Sequence, residues 1–269
     1  FEQPASSIAT QVVYTFVNQF GEEGAPSDAS GIVELVPGTQ TKISGFPLPG
    51  HQPGLEEYGP LFARLYRGQV SGTDVVYSRI LDIDDTYVRD NPEIDTPDPA
   101  LTDNFQTDIG ALTLESVGYQ PLPEGARNIL ALPNGILLMS KGREVYVSQQ
   151  YQPHAYPIQN VLRADYDVLA ISNINTTAVV FTEGPVYLVV GSIPGSLSMV
   201  RVPSDYTIES KKSITQWKGY GVAFSCREGL AAITESGAVL LTEQILTERE
   251  WAKFYPSSIV GAVYDDVYV

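Results

Sequence analysis

Two histidines, His51 and His154, are the whole stock of the side chain most used as general base and metal ligand in this 269-residue chain. His51 lies in Pro49-Gly50-His51-Gln52-Pro53-Gly54, a loop in which an exposed imidazole is the plain reading. His154, in Tyr151-Gln152-Pro153-His154-Ala155-Tyr156-Pro157, reads as a packed loop residue that donates a hydrogen bond. Neither has a neighbouring cysteine, second histidine or serine-nucleophile signature to complete a triad. The run Asp82-Ile83-Asp84-Asp85 offers the oxygen ligands that hard cations select, without the glycine and closing glutamate of the helix-loop-helix calcium motif. Incidental calcium at Asp82, Asp84 and Asp85 is weighed against a solvated acidic strand end, and the strand end is preferred. Asn175-Thr176-Thr177 satisfies a glycosylation triplet that also arises by chance. Gly-rich phosphate loops and zinc spacings are missing, and 32 acids single out no carboxylate pair for glycoside hydrolysis. The expectation is a protein that is not an enzyme, with no catalytic, cofactor-binding or metal-binding residue to assign and no cofactor.

The acids outnumber 16 bases two to one, for a net charge of −16. Residues 1–125 carry 19 acids and 5 bases, net −14, whereas residues 126–269 carry 13 acids and 11 bases, net −2. Phosphate affinity comes from Lys and Arg releasing counterions, so this balance argues against tight nucleic-acid binding. Cys226 is the single cysteine and cannot form an intrachain disulfide; in its apolar stretch it reads as a small core residue. No apolar run reaches the 18 residues of a membrane span. Phe1-Glu2-Gln3-Pro4 has no initiator Met, basic n-region or apolar h-region, and is read as the start of a processed or excised segment.

The elements behind these residues are strands. Residues 11–20 are dense in β-branched and aromatic side chains and end at the turn Gly21-Glu22-Glu23-Gly24-Ala25-Pro26-Ser27. Similar short runs follow at 31–36, 39–43, 62–67 and 75–80, which predicts an immunoglobulin- or fibronectin-like β-sandwich over 1–90. Prolines 92, 97, 99, 121 and 123 then interrupt a stretch rich in Asp and Thr, predicting an extended connector over 91–125. Residues 126–269 repeat. Apolar pairs flank turns at Gly142, Gly184 and Gly229, spaced 42 and 45 residues apart, which matches a β-propeller blade. Lead strands at 168–171 and 213–217 precede the second and third pairs, and Ile259–Tyr264 would begin a fourth. The predicted fold is thus all-β, a sandwich followed by a propeller that this chain carries in part and leaves incomplete at its C-terminal end. One helix is expected, because Thr247-Glu248-Arg249-Glu250 fits a capping box, Leu246 can staple against Trp251, and Pro256 stops it. Most of the 16 tyrosines are strand residues; Tyr58, Tyr119, Tyr151 and Tyr156 fall in loops, where contact with a neighbouring chain is the minority reading.

An ordered set of these segments resembles the tail nozzle, or tail tubular protein B, group of short-tailed bacteriophages and prophages. The set runs Tyr14-Thr15-Phe16-Val17, Gly21 to Ser27, Arg64-Leu65-Tyr66-Arg67 and Leu132-Pro133-Asn134-Gly135-Ile136-Leu137. It continues through Gln152 to Pro157, Thr182-Glu183-Gly184-Pro185-Val186-Tyr187-Leu188, Arg227-Glu228-Gly229-Leu230 and Leu246 to Trp251. It spans about residues 10–269. The resemblance implies a virion structural protein whose fibronectin-like insert joins a propeller, with six copies in a ring around the DNA exit channel below the portal. It further implies portal or adaptor proteins and tail fibres or spikes as partners, DNA that passes without specific binding, and location in the phage tail. It brings no catalytic residues, and it leads one to expect more sequence before Phe1 and several strands after Val269. The charge agrees in one respect, since an acidic or neutral wall lets a polyanion slide where a basic wall would hold it. The competing reading is an extracellular carbohydrate-binding or glycan-cleaving module, which would need a concave pocket with aromatics and convergent carboxylates. A third is a free-standing scaffold that binds a protein through a propeller face.

Overall fold

The computed structural model describes residues 7–36, 40–51, 61–71, 74–103, 112–218 and 221–269. It is all-β, with several antiparallel sheets and few helical turns. The chain divides into two compact units, 1–121 and 122–269.

In the first unit, β1 (Ile8–Asn18), β2 (Val33–Leu35), β4 (Leu61–Ser71) and β5 (Asp74–Ile83) form one antiparallel sheet in the order β2-β1-β4-β5. A second sheet pairs β3 (Thr41–Ser44) with β6 (Ala100–Asp103). The alternation of β1 places Val13 on one face and Tyr14 and Phe16 on the other. Tyr14 and Phe16 join Ala63, Leu65 and Ile83 in a core that also takes in Ile43 of β3 and Leu101 of β6, so the two sheets share it. Val13 packs with Tyr66, Tyr77 and Leu114 on the opposite face. Both faces are therefore covered, which is why β1 reads as a nearly continuous apolar run.

The stretch 91–125, expected as an extended connector, holds more structure than its prolines indicated. Ile94 is buried in the shared core and Ala100–Asp103 is the strand β6. Pro92 opens a 3-10 turn and Pro99 directly precedes β6, two places where a missing N–H costs no ladder bond. A second unexpected element is the helix α1 (Asp85–Asp90).

The second unit repeats one plan three times. The strands β7 (Arg127–Ala131), β8 (Leu137–Lys141), β9 (Glu144–Val147) and β10 (Val161–Arg163) form the first four-stranded antiparallel meander. The second is β11 (Val168–Ile174), β12 (Thr177–Thr182), β13 (Tyr187–Val190) and β14 (Ser198–Arg201). The third is β15 (Thr215–Trp217), β16 (Gly221–Ser225), β17 (Leu230–Thr234) and β18 (Gly237–Leu240). Gly142, Gly184 and Gly229 each lie in the turn between the second and third strand of their sheet. The first strands are neighbours in space: β7 lies beside β11, and β11 beside β15.

The middle sheet is covered on both faces, and β12 records this residue by residue. Ala178 and Val180 pack with Leu138, Val145 and Val147 of the first meander. Val179 and Phe181 pack with Val222, Phe224 and Ile233 of the third, where Phe181 and Phe224 meet edge to face at 5.0 Å. Alternation with two buried faces yields an uninterrupted apolar run, Ala178-Val179-Val180-Phe181. The third sheet buries Ala223 and Ala232 fully as well. The segment after it fastens back, with Ser225 Oγ donating to Pro256 O at 2.8 Å and Ser210 Oγ to Ile259 O at 2.7 Å.

The expected helix is α2 (Glu248–Trp251), and both halves of its capping box form between Thr247 and Glu250. Its Trp251 is buried, with Nε1 donating to Cys226 O at 2.9 Å. In place of one strand at Ile259–Tyr264, a small hairpin of β19 (Val263–Tyr264) and β20 (Val267–Tyr268) follows, with β19 beside β15.

Candidate functional site

The acidic run of the first unit is committed to the protein itself. Asp82 stands opposite Arg64 in the β4–β5 register, and the guanidinium donates twice, Nε to Oδ1 at 2.7 Å and Nη2 to Oδ2 at 3.0 Å. Arg79 Nη1 adds a third bond to Asp82 Oδ2 at 3.3 Å. Asp84 caps α1, its Oδ1 accepting from Tyr87 N at 2.8 Å, and Asp85 occupies that helix's first turn, where an acid favours the dipole. From sequence this run is a solvated strand end weighed against a cation site, and the structure instead puts a helix N-cap directly after the end of β5 at Ile83. Among the described residues no group of three or more His, Cys, Asp or Glu is arranged to hold a metal.

The same arginine reaches a second carboxylate. Arg64 Nη1 lies 3.4 Å from Glu23 Oε2, and Glu23 Oε1 accepts from Thr15 Oγ1 at 2.5 Å and from Tyr66 OH at 2.7 Å. The Asp82 hydrogen bonds hold the Arg64 guanidinium above its ordinary pKa. Burial, reinforced by the Glu23 carboxylate, pushes the Tyr66 hydroxyl up. This half-buried network ties the turn after β1 to the centre of the sheet.

His51 meets Asp95, with Nε2 2.7 Å from Oδ1, so a loop histidine clasps the turn after Pro92–Ile94. Among the described residues no hydroxyl or thiol bonds its ring. His154 sits in the loop between β9 and β10, half-buried. Cys226 is fully buried, its thiol donating to Gly229 O at 3.2 Å and pushed up to about 12, mainly by burial. Of the loop tyrosines, Tyr151 is 73% exposed, Tyr119 is half-buried, and Tyr156 is 2% exposed with its hydroxyl pushed up to about 12 by burial. Tyr58 lies outside the described residues.

A further group of polar side chains converges at the hairpin tips of the second unit. A cleft of about 830 Å³ is lined by Asn173, Asn175, Gln216, Trp217, Lys218 and Glu235, among others. Asn175 stands at the β11–β12 tip with φ of 52°, a left-handed position that Asn adopts more readily than other non-glycine residues. Its Nδ2 donates to Glu235 Oε1 at 2.8 Å, on the β17–β18 tip. Asn173 Nδ2 donates to Asn175 O at 2.8 Å, and Gln216 Nε2 donates to Asn173 Oδ1. Trp217 Nε1 donates to Asp266 O at 3.0 Å, and its ring lies 6.2 Å from that of Tyr268. At one border of the cleft Gly221, with φ of 98°, is so close to β17 that a Cβ would fall 2.0 Å from Ile233 O. Sequence reasoning met Asn175 only as a glycosylation triplet and did not single out Glu235, because residues 173, 216 and 235 become neighbours only when the second and third sheets pack.

No helix among the described residues is long and apolar enough to cross a membrane. No protein-family model matches the chain, and no curated protein matches it either.

Proposed function

We propose that this chain is a structural protein of a phage tail, a tail nozzle component that surrounds the channel through which DNA leaves below the portal. In this reading the first unit is a fibronectin-like sandwich and the three meanders are successive blades of a β-propeller. The carrying observation is the threefold repeat of one four-stranded plan whose first strands lie side by side, with consecutive sheets sharing cores. Blades of a propeller pack in this manner, each inner strand next to the inner strand of the next blade. The ordered motif resemblance over residues 10–269 supplies the link to tails. The charge is compatible with it, since a chain of net −16 does not hold a polyanion in transit. The role is structural rather than enzymatic, in a cyclic, six-copy ring bordered by portal or adaptor proteins and by fibres or spikes.

Electron microscopy of purified particles tests this directly. A ring of this protein on the tail axis, with six copies by native mass, supports the reading. Particles that lack the protein, or carry it off the axis as isolated monomers, overturn it.

One observation favours a carbohydrate-binding role as a second reading, namely the cleft that joins an indole to amide side chains. Glycan cleavage would call for two carboxylates flanking a bond, and Glu235 is the one acid lining the cleft among the described residues.

A further inference from the structure

We propose that the cleft between the tips of the second and third meanders binds an uncharged oligosaccharide. The proposal does not depend on the tail assignment, because it rests on this cleft alone. Its volume, about 830 Å³, lies within the range of small-ligand sites. The chemistry of its walls narrows the ligand by elimination.

A metal ion needs several oxygen or nitrogen ligands that carry charge, and among the described residues Glu235 is the one carboxylate that lines the cleft. An anion needs a surplus of basic groups, and Lys218 is matched by Glu235 within a chain of net −16. A fully apolar ligand would strip water from Asn173, Asn175 and Gln216 with nothing in exchange. A sugar hydroxyl is both donor and acceptor, and a side-chain amide is its complement, carrying N–H donors and a carbonyl acceptor in one plane.

The groups are also held in position. The bonds from Gln216 to Asn173, from Asn173 to Asn175 O and from Asn175 to Glu235 run as one chain across two sheets, fixing each amide's orientation. Three oxygens take no part in that chain, Gln216 Oε1, Asn175 Oδ1 and Glu235 Oε2. Trp217, anchored through Nε1 to Asp266 O and against Tyr268, adds a broad apolar ring to the same wall. An aromatic surface beside fixed amides matches the two sides of a pyranose, its C–H face and its hydroxyl edge. Preorganisation matters because ordering these side chains on binding would otherwise cost affinity.

The test uses the full chain on a printed array of neutral hexose and N-acetylhexosamine oligosaccharides. Maltohexaose, cellohexaose and chitohexaose are then titrated by calorimetry, with hexagalacturonate and polyphosphate as anionic controls. We expect at least one neutral glycan to bind with a submillimolar dissociation constant. Trp217→Ala and, separately, Gln216→Ala should each weaken it roughly tenfold, with unchanged circular dichroism. Because Trp217→Ala also removes packing on Tyr268, the exposed Gln216→Ala keeps the test decisive if the first variant unfolds. The proposal is overturned by no neutral glycan binding at millimolar concentration, by tighter binding of either anion, or by binding that a folded Gln216→Ala variant leaves unchanged.

Discussion

The side-chain amide of Asn175 and the carboxylate of Glu235, 60 residues apart in the chain, meet at 2.8 Å where two β-hairpin tips from different sheets come together. Neither hairpin pairs strand to strand with the other, so the contact is made by side chains above a packed apolar layer. Beneath it, Val179 and Phe181 face Val222, Phe224 and Ile233. The apolar layer sets the distance between the sheets, and the polar pair closes the rim.

Because both partners of that pair are exposed, its removal should be mild. Glu235→Ala should cost no more than about 1 kcal/mol, Asn175→Ala more because alanine takes the left-handed backbone at φ of 52° less readily, and a double-mutant cycle, in which that strain cancels, should give a coupling of about 0.5 kcal/mol. Urea unfolding of the four proteins measures it. A zero coupling would show that packing alone fixes the tips.

Gly221 should tolerate no side chain. Its φ of 98° and the 2.0 Å approach of a built Cβ to Ile233 O bring two penalties together, and the blocking atom is backbone that cannot swing away. Gly221→Ala should lose about 2–4 kcal/mol, or fail to accumulate as folded protein. Gly31→Ala, in open space without positive φ, is the control and should change stability by less than about 0.5 kcal/mol.

The Arg64 fork should matter through geometry as well as charge. Arg64→Lys keeps the charge but cannot donate twice to Asp82 while reaching Glu23, so it should cost about 1–2 kcal/mol in thermal or urea unfolding. With Asp82 held by two arginines and Asp84 capping a helix, millimolar calcium should leave the unfolding midpoint unmoved. A calcium-dependent rise abolished by Asp85→Asn would contradict this account.

Alkaline pH should unfold the protein before its buried tyrosines ionise freely. Burial pushes Tyr156 up to about 12 and, with the Glu144 carboxylate, pushes Tyr146 up to about 12 from an ordinary 10.0. A phenol whose folded pKa is raised binds more protons folded than unfolded between those values, so stability is full below about pH 10 and falls as pH rises towards about pH 12. Tyrosinate absorbance should therefore rise in two stages, the second coincident with loss of circular dichroism. Tyr156→Phe should remove part of the decline.

Much of this protein follows from sequence alone, because the cause lies within a few residues. The capping box at Thr247 and Glu250 is a local exchange of hydrogen bonds, so its four residues suffice to define it. Turns at Gly142, Gly184 and Gly229 stand out because apolar runs flank them at a steady period. The all-β character comes from the same alternation. The strand β6 and the burial of Ile94 were hidden by surrounding prolines, which report where N–H groups are missing but not what packs nearby. Asp82 reads in sequence as part of a solvated strand end, with calcium as the alternative, and only the strand register sets it opposite Arg64. The cleft belongs wholly to tertiary structure: Asn173, Gln216 and Glu235 sit in three separate hairpins, and the pairing of the third sheet and its apolar packing on the second, with Phe181 against Phe224, bring those hairpins together. Local patterns fix which backbone a segment adopts, while the site depends on which apolar faces find each other, and that is decided by the whole chain at once.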